Sequence, residues 1–332
     1  RETYLRRTCS FFASNTKKSM QGIKEQLEFL ANNFSNALGR DQWLRHDNWG
    51  VYGNTSMSHC MRICSKEKSV FECKPLKNKK PWYGIWCDEH GLVAGILLQN
   101  NQLHGMLPED LPLLFNQSLR GVQMFGNELT GTLPKSWSGL LKLEFVRLDR
   151  NQFSGSLPES WSALQSLERL YLSGNQFNGS LPESWSALHS LQELRLNNNS
   201  FSGPLPSNWS KLQNLNILDI SDNHLSGEMP PRWNKLFNLV ELYIHQNQLG
   251  GRLHQTFMTN LTSLRIFTAN DNRFKGNVPD IPTWMTTPYV VTVCPYSECR
   301  GLPSTWINIS YPPVLLMFNN RFSGRLVDIN SN

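Results

Sequence analysis

The sequence predicts a repeat solenoid of stacked coils, because a single pattern recurs along most of the chain. The octapeptide "LPESWSAL" stands at residues 157–164 and again at 181–188. An Asn in each unit returns at steps of 26, 24, 24, 24, 24, 24, 25 and 48 residues, at Asn101, Asn127, Asn151, Asn175, Asn199, Asn223, Asn247, Asn272 and Asn320. The last step equals two periods and predicts a degenerate unit centred on Tyr296, near residues 288–311.

The consensus of the unit explains why the coils must stack. It reads L-x-x-L-x-L-x-x-N-x-[FL]-x-G-x-L-P-x-x-W-x-x-L. The alternating pair Leu170 and Leu172 indicates a short strand that points both side chains inward. Asn175 follows, and its amide can satisfy backbone groups that the turn leaves unpaired. A single coil cannot bury its apolar face, so the unit predicts a leucine-rich-repeat horseshoe of about ten coils with a parallel concave β-sheet.

Aromatic side chains form two further columns in the repeat. Phe recurs two residues after the Asn, at Phe153, Phe177, Phe201, Phe274 and Phe322, and Trp recurs after Leu-Pro, at Trp137, Trp161, Trp185, Trp209, Trp233 and Trp306. Six Trp residues at one repeat position are compatible with a binding platform. At this spacing we expect them instead to stack beneath the convex wall, with each indole N–H donating to a carbonyl.

Residues 1–92 are expected to form an N-terminal cap for the solenoid of residues 93–332. An apolar stripe with the spacing of an amphipathic helix is formed by Ile23, Leu27, Leu30, Phe34 and Leu38. The cap carries 15 Lys and Arg against 9 Asp and Glu, whereas the solenoid carries 17 of each. The excess positive charge of the chain therefore lies in the cap.

The basic cap patch is the densest part of that charge and consists of Lys66, Lys68, Lys74, Lys77, Lys79 and Lys80. A patch of this kind could meet an anionic glycan, and a solvated loop is the simpler alternative. Phe71 is the only aromatic residue among these Lys residues, and a series of stacking aromatics is missing, which argues against nucleic acid.

Two resemblances follow from these motifs. The string "WYGIWC", Trp82–Cys87, resembles the W-x-G-[IV]-x-C signature of the amino-terminal cap in plant-type leucine-rich repeats. The segments "LPESWSAL", "LPSNWSKL" and "LPKSWSGL" are more similar to the promastigote surface antigen family of kinetoplastid parasites. That resemblance implies a surface antigen, secreted or held by a glycolipid (GPI) anchor, that engages host molecules.

Seven cysteines favour disulfide staples on the terminal modules of an oxidised protein. We predict a local disulfide between Cys294 and Cys299, because they flank Tyr296 where the ladder Asn is missing. In the cap we favour Cys73 with Cys87. A zinc site is the rival interpretation, but its usual paired short spacings are absent, so we expect no metal.

An extracellular location is expected for the chain. Glycosylation sequons occur at Asn33, Asn54, Asn116, Asn178, Asn198, Asn208, Asn260 and Asn308. No apolar run approaches the length of a membrane helix. Because the chain starts at Arg1, we expect a mature or trimmed ectodomain, secreted or attached to the cell surface by an anchor removed from this sequence.

The outward residues of the strands are the candidate binding residues. One column contains Gln123, Arg147, Tyr171, Arg195, Asp219 and Tyr243, and a neighbouring column contains Phe125, Asp149, Asn197 and His245. Tyr and Arg are enriched in interface hot spots. Strand faces are also polar simply because water touches them, so a solvated surface is the alternative.

A non-enzymatic recognition protein with a host or environmental protein ligand is the predicted function. An inhibitor of a secreted glycan-degrading hydrolase and a structural surface coat are the alternatives. The chain has no G-x-S-x-G, H-E-x-x-H or phosphate-loop motif, and the "DEHG" stretch at residues 88–91 is typical of a turn. We therefore expect no enzymatic activity and no cofactor.

Overall fold

The structure of the protein is a computed structural model, and it describes residues 25–26, 29–38, 62–67, 70–75, 84–88, 92–254, 257, 260–276, 290–292, 314–316 and 320–322. The strands at 62–67, 70–75, 290–292 and 314–316 are described by their backbone alone. The helices are a π-helix at Leu30–Phe34, α1 at Ser35–Ala37, α2 at Leu111–Phe115, and 3-10 helices at Lys135–Gly139, Glu159–Ala163, Glu183–Ala187, Ser207–Lys211 and Pro231–Lys235.

The strands are short and regularly spaced. They are β1 (Arg62–Glu67), β2 (Val70–Pro75), β3 (Ile85–Cys87), β4 (Val93–Leu97), β5 (His104–Met106), β6 (Gly121–Gln123), β7 (Glu128–Thr130), β8 (Phe145–Arg147), β9 (Ser154–Gly155), β10 (Arg169–Tyr171), β11 (Gln176–Gly179), β12 (Glu193–Arg195), β13 (Ser200–Pro204), β14 (Ile217–Asp219), β15 (His224–Glu228), β16 (Glu241–Tyr243), β17 (Gln248–Gly251), β18 (Ile266–Thr268), β19 (Arg273–Gly276), β20 (Val290–Thr292), β21 (Val314–Leu316) and β22 (Arg321–Phe322).

A 13-stranded sheet forms the concave side, in the order β2-β1-β3-β4-β6-β8-β10-β12-β14-β16-β18-β21-β20. From β4 onward neighbouring strands are parallel, and equivalent residues of successive coils pair directly, as Leu170 does with Leu194. A seven-stranded lateral sheet has the order β22-β19-β17-β15-β13-β11-β9, and β5 pairs with β7. The predicted leucine-rich-repeat solenoid with a parallel concave sheet is therefore confirmed.

The core lies between the two sheets and the 3-10 helices, and it repeats from coil to coil. Leu170 and Leu172 have no exposed surface, and neither has the Phe spine residue Phe177. The rings of Phe153 and Phe177 stack at 6.1 Å. Each fully buried aliphatic side chain contributes roughly 1.5–3 kcal/mol, which only a neighbouring coil can supply.

The Trp column belongs to the same core. The Trp137, Trp161, Trp185, Trp209 and Trp233 side chains are completely buried. The Trp137 and Trp161 rings stack in parallel planes at 6.2 Å. The indole Nε1–H of Trp161 donates to the carbonyl of Pro134 in the preceding coil at 2.9 Å, and the other described column members repeat this bond. The column is the convex wall, as predicted, and Trp306 lies outside the described residues.

The Asn column is a hydrogen-bonded ladder. Asn199 Nδ2 donates to the carbonyls of Leu172 and Leu196 at 3.0 Å, and its Oδ1 accepts from the Phe177 backbone N–H at 3.1 Å. One amide thus satisfies backbone groups of two successive coils. The interior can then close over the turn without leaving these polar groups unpaired.

The stacking order at the C-terminal end differs from the order of the repeats in the sequence. The sequence predicts that the degenerate unit lies between the coils of Asn272 and Asn320. Instead, β21 pairs directly with β18, with Leu315 opposite Phe267. The strand β20, from the degenerate unit, pairs with the far side of β21 and forms the edge of the sheet. The described strand of the degenerate unit is therefore not paired in sequence order.

Asn320 gives the physical reason for this order. Its Oδ1 accepts from the Phe274 backbone N–H at 3.0 Å, and its Nδ2 donates to the Ala269 carbonyl at 2.8 Å. The repeat frame puts Tyr296 where other units have the ladder Asn, and a single phenol hydroxyl cannot replace the amide's two N–H donors and separate carbonyl acceptor. The next coil with an Asn therefore stacks directly on the coil of Phe274.

The described residues of the predicted N-terminal cap contact the solenoid through both sheet and helix. Leu30, Phe34 and Leu38 are buried, and their segment contains a π-helical turn in place of the regular α-helix that the apolar spacing predicts. Ile23 and Leu27 lie outside the described residues. Nε2 of Gln26 donates to the Leu114 carbonyl at 2.6 Å, and Oε1 accepts from the Val93 backbone at 3.1 Å. This buried amide ties the cap to the first coils.

A β-hairpin in the cap was not expected from the sequence. β1 and β2 are antiparallel, with Cys64 opposite Cys73, and Ile63 of β1 pairs with Cys87 of β3. The concave sheet therefore continues into the cap and covers the edge that β4 would otherwise expose.

Candidate ligand-binding face

The predicted binding residues lie in register on the concave sheet. Tyr171 of β10 pairs with Arg195 of β12, and Asp219 of β14 pairs with Tyr243 of β16. The strands hold each side chain outward because the preceding residue, such as Leu170, is locked in the core. We use the name concave site for Gln123, Phe125, Arg147, Asp149, Tyr171, Arg195, Asn197, Asp219, Tyr243 and His245.

Rings and guanidinium groups alternate along the first half of the concave site. The Arg147 guanidinium lies 3.7 Å from the ring centre of Phe125 and 5.8 Å from that of Tyr171. The Arg195 guanidinium lies 5.7 Å from the Tyr171 ring. These distances are in the range of cation–π attraction, so the four side chains brace one another.

Carboxylates hold the same side chains in place. Arg147 Nε lies 2.8 Å from Asp149 Oδ1, and Arg195 lies 4.0 Å from Glu193. The Tyr171 hydroxyl donates to Glu193. Burial, followed by this hydrogen bond and the Glu193 charge, raises the pKa of Tyr171 to about 12. Tyr171 therefore stays a neutral donor over the physiological pH range.

The second half of the concave site is acidic. Asp219 accepts from the Ser221 hydroxyl at 2.7 Å, and burial raises the pKa of this carboxyl despite that bond. The Tyr243 hydroxyl donates to Glu241 at 3.0 Å, and burial raises the pKa of this phenol above its usual value. The ring of His245 lies 6.4 Å from that of Tyr243. The two halves of the concave site thus differ in charge.

Several concave residues were missed by the sequence analysis. Phe145, Arg169, Glu193 and Glu241 begin their strands and point outward two residues before the predicted column. Phe145 packs edge-on against Tyr171 at 5.6 Å, and Arg169 lies 3.4 Å from Glu193. The strand period of two could have identified this column, because it places both ends of a three-residue strand on one face.

Not all predicted residues contact the alternating cluster. Gln123 is half-buried beside Arg147, its strand partner. Asn197 accepts from the Ser173 hydroxyl. His245 Nδ1 lies 2.7 Å from the Thr268 hydroxyl, and its Nε2 lies 3.7 Å from Asp222. The predicted residues therefore fall into two groups. Phe125, Arg147, Tyr171 and Arg195 contact one another, whereas Asp219, Tyr243 and His245 lie outside that cluster.

The sequons lie on different surfaces. Asn33, Asn116, Asn178, Asn198 and Asn260 are exposed, Asn208 is half-buried, and Asn54 and Asn308 lie outside the described residues. Asn178 belongs to the lateral strand β11. Asn198 adopts the left-handed conformation, with φ of 55°, just after a concave strand. A glycan on either residue would leave the Trp wall uncovered.

The basic cap patch and the cysteines are described only in part. Lys66 and Lys74 belong to β1 and β2, without described side chains, and the other four Lys residues lie outside the described residues. Cys87 is disulfide-bonded, and its partner is not among the described side chains, so the Cys73 to Cys87 pairing remains a prediction. The predicted bond between Cys294 and Cys299 falls outside the described residues.

The described part of the chain holds no group of three His, Cys, Asp or Glu side chains placed to bind a metal ion. None of its helices has both the length and the apolar character that crossing a bilayer requires.

Comparison with known proteins places the chain in a class. Profiles of the Leucine rich repeat family match residues 146–201 and 214–236. No curated protein sequence matches significantly. The profile matches agree with the leucine-rich-repeat solenoid that the stacked coils form.

Solved structures similar to the chain include plant receptor ectodomains. The ectodomain of the Arabidopsis thaliana receptor kinase GASSHO1/SCHENGEN3, in complex with CASPARIAN STRIP INTEGRITY FACTOR 2, is 29% identical with a TM-score of 0.58, over 70% of this chain and 25% of that one. A TDR receptor is 31% identical with a TM-score of 0.61, over 72% and 37%. The Arabidopsis receptor kinase HAESA, in complex with the peptide hormone IDA and the co-receptor SERK1, is 25% identical with a TM-score of 0.52, over 73% and 48%. The chain spans less than half of each of these ectodomains.

Proposed function

We propose that the protein is an extracellular recognition protein that binds an extended segment of a host or environmental protein along the concave site. The observation that carries this proposal is the alternation of Phe125, Arg147, Tyr171 and Arg195, held in register by a buried sheet. Hot spots in interfaces are rigid, partly desolvated Tyr and Arg side chains with neighbours already in place. Binding would then cost little side-chain entropy.

The similar receptor ectodomains support a peptide-like ligand. GASSHO1/SCHENGEN3 and HAESA were each solved with a peptide or protein factor bound. A concave sheet suits an extended partner, because successive coils present one side chain about every 4.8 Å. The first half of the concave site carries Arg147 and Arg195, and the second half carries Asp219. This distribution favours a ligand segment whose charge changes sign along its length.

A displayed library of random peptides tests this proposal. Peptides that the protein selects are measured for affinity against a triple variant, Arg147→Ala, Tyr171→Ala and Arg195→Ala. We expect their affinity to fall by about 30-fold or more, since hot-spot truncations cost about 2 kcal/mol each.

A matched variant of the lateral face is the control. Gln152→Ala, Gln176→Ala and Ser200→Ala change exposed residues of the same coils. These changes should leave the affinity of the selected peptides unaltered. If the concave variant folds normally, by its melting curve, and still binds as the wild type does, the concave site is not the binding surface.

We further propose that the protein is a glycosylated surface protein of the kind that the promastigote surface antigen resemblance implies, held by a glycolipid anchor. The exposed sequons at Asn178 and Asn198 support the first part. Masses of tryptic peptides before and after removal of N-glycans test it, with Asn208 as the less accessible comparison. Unmodified Asn178 and Asn198 would contradict the proposed glycosylation.

The glycolipid anchor is tested separately, by release of the protein from cells with a phospholipase that cleaves such anchors.

A further inference from the structure

A second charged surface lies on the lateral sheet, away from the concave site. Arg252, Arg273, Lys275 and Arg321 are all exposed and belong to, or directly follow, the last three strands of that sheet, β17, β19 and β22. We name these four residues the lateral cationic patch. Charge counting along the sequence does not detect it, because the solenoid carries equal numbers of cations and anions.

The sheet register aligns three of the four charges in one row. Lys275 is the direct partner of Arg321 on the neighbouring strand. Gly251 pairs with Phe274, so the next residue along, Arg252, comes level with Lys275. Parallel strands lie about 4.8 Å apart, so the row presents one cation per coil at this spacing. Arg273 stands two residues before Lys275 and therefore faces the same side of β19.

None of the ion pairs in the part of the chain that the structure describes includes any of the four cations. Glu228 of the same sheet places its carboxylate over Gly251, the residue before Arg252. Like charges opposite one another destabilise a sheet. The row of cations therefore lowers the stability of the fold, and no ion pair within the described residues offsets this. Sites that break a local rule in this way are typically functional.

Glycine residues lie on the strands beneath the patch. The strand β17 ends in Gly250 and Gly251, and β19 ends in Gly276. A Cβ at Gly276 would lie 3.2 Å from Arg252 Cγ, so the Arg252 stem runs across this glycine. The glycines carry no side chains of their own here, and the side chains of Arg252 and Glu228 lie across them.

We propose that the lateral cationic patch binds a linear acidic polysaccharide, one that carries a carboxylate or sulfate on each repeating unit. Three of the four cations are Arg, whose planar fork pairs bidentately with such oxyanions. A row of single charges at regular intervals matches a polymer with regularly spaced charges. β19 offers no ring for base stacking because Phe274 is buried, which argues against single-stranded nucleic acid.

The test measures retention of the full chain on immobilised polygalacturonate, dextran sulfate and neutral dextran over a range of salt concentrations. The test variant is Arg252→Gln, Lys275→Gln and Arg321→Gln. The matched control is Lys211→Gln, Arg232→Gln and Lys235→Gln, which removes the same charge from exposed positions of the convex 3-10 helices. We expect the test variant to lose about tenfold in affinity, as three exposed ion pairs would supply, and the control to lose far less.

Each outcome decides the proposal. Loss on polygalacturonate alone assigns a uronate polymer, and loss on dextran sulfate alone assigns a sulfated one. Arg252→Lys and Arg321→Lys keep the charge but lose the guanidinium fork, so these variants should bind more weakly than the wild type and more tightly than the Gln variant. Equal losses in the test and control variants, unchanged binding of the test variant, or the same loss on duplex DNA or on phosphatidylserine vesicles would overturn the proposal.

Discussion

The Trp column and the concave column come from the same coils at the same spacing, yet one is uniform and the other varies. Trp161 is followed one coil later by Trp185, whereas Arg147 is followed by Tyr171 and then by Arg195. Each Trp packs against a copy of itself, so a change in one coil leaves a mismatch in two. A concave side chain faces water on one side. Packing therefore does not fix which residue stands there, and the residue can be one that binds a ligand. Repetition marks the packing surfaces, and variation marks the candidate binding surface.

The largest expected loss of stability follows from removing a side chain of the Trp column. Trp185→Ala removes a fully buried side chain and its bond to Pro158, and should lower the free energy of unfolding by about 3–5 kcal/mol. Urea unfolding followed by circular dichroism measures this loss. Gln165→Ala, an exposed change in the coil before, is the control and should be nearly neutral. A loss below about 1 kcal/mol at Trp185 would contradict the structural role of the column.

The Asn ladder should show the next largest effect. Asn199→Ala leaves the Phe177 N–H and the Leu172 and Leu196 carbonyls without their side-chain partner. Stranding such buried groups should cost about 2–3 kcal/mol in the free energy of unfolding. The same urea titration measures it, with the exposed Gln176→Ala as the comparison. Equal stability of the two variants would show that the ladder is dispensable.

The C-terminal stacking order is tested by hydrogen exchange at a single amide. Asn320→Ala removes the acceptor of the Phe274 N–H, so exchange at this amide should accelerate about tenfold, the equivalent of one hydrogen bond. Tyr296→Ala should leave that amide unchanged. The reverse result, acceleration by the change at Tyr296 alone, would restore the order in which the repeats occur in the sequence.

The variable column should matter little for stability. Arg147→Ala breaks a pair with the buried carboxylate of Asp149 and a contact with Phe125. We expect a loss of about 1–2 kcal/mol, because the Arg147 side chain is itself partly exposed to solvent. Thermal unfolding of this variant beside Trp185→Ala makes the comparison directly. Losses of similar size in the two variants would remove the distinction between the two columns.

The smallest effect concerns the pH dependence of Asp219. Its pKa is raised by burial, so the folded state binds this proton more tightly than the unfolded state does. Stability is therefore lost as pH rises from about 4 through the raised folded pKa. Asp219→Asn should be slightly more stable than the wild type at pH 7, with the difference vanishing near pH 3. Urea midpoints across this range measure it, and a constant difference would contradict the assignment.

The regular part of the fold was predictable because each coil repeats the same local signals. The Leu pair, the ladder Asn and the Trp after Leu-Pro each specify one contact with an identical neighbour, so reading one unit is equivalent to reading the others. The concave column followed from the strand period. The further column, with Glu193 and Glu241, obeys the same period of two, but it was missed because the prediction counted outward residues only from the inward Leu pair onward.

The ends were less predictable, because there the partner of a strand is not the preceding repeat. The hairpin of β1 and β2 and the placement of β21 beside β18 depend on which strand best satisfies an exposed edge. Asn320 is 46 residues from the Phe274 N–H that it accepts from. The distance along the chain does not predict such a pairing. The entropy lost on closing a loop grows only slowly with its length, so a partner 46 residues away costs little more than a nearer one.

The sequence by itself determined the coil, its inward and outward faces and its aromatic columns, since these depend on periods of 2 and 24 residues. Only the tertiary structure decided which outward side chains brace one another and which coil follows Phe274. It also decided that Arg252, Lys275 and Arg321 form one row. The reason is physical: a period specifies which face a residue occupies, whereas contacts between faces depend on the register of strands that are far apart in the chain.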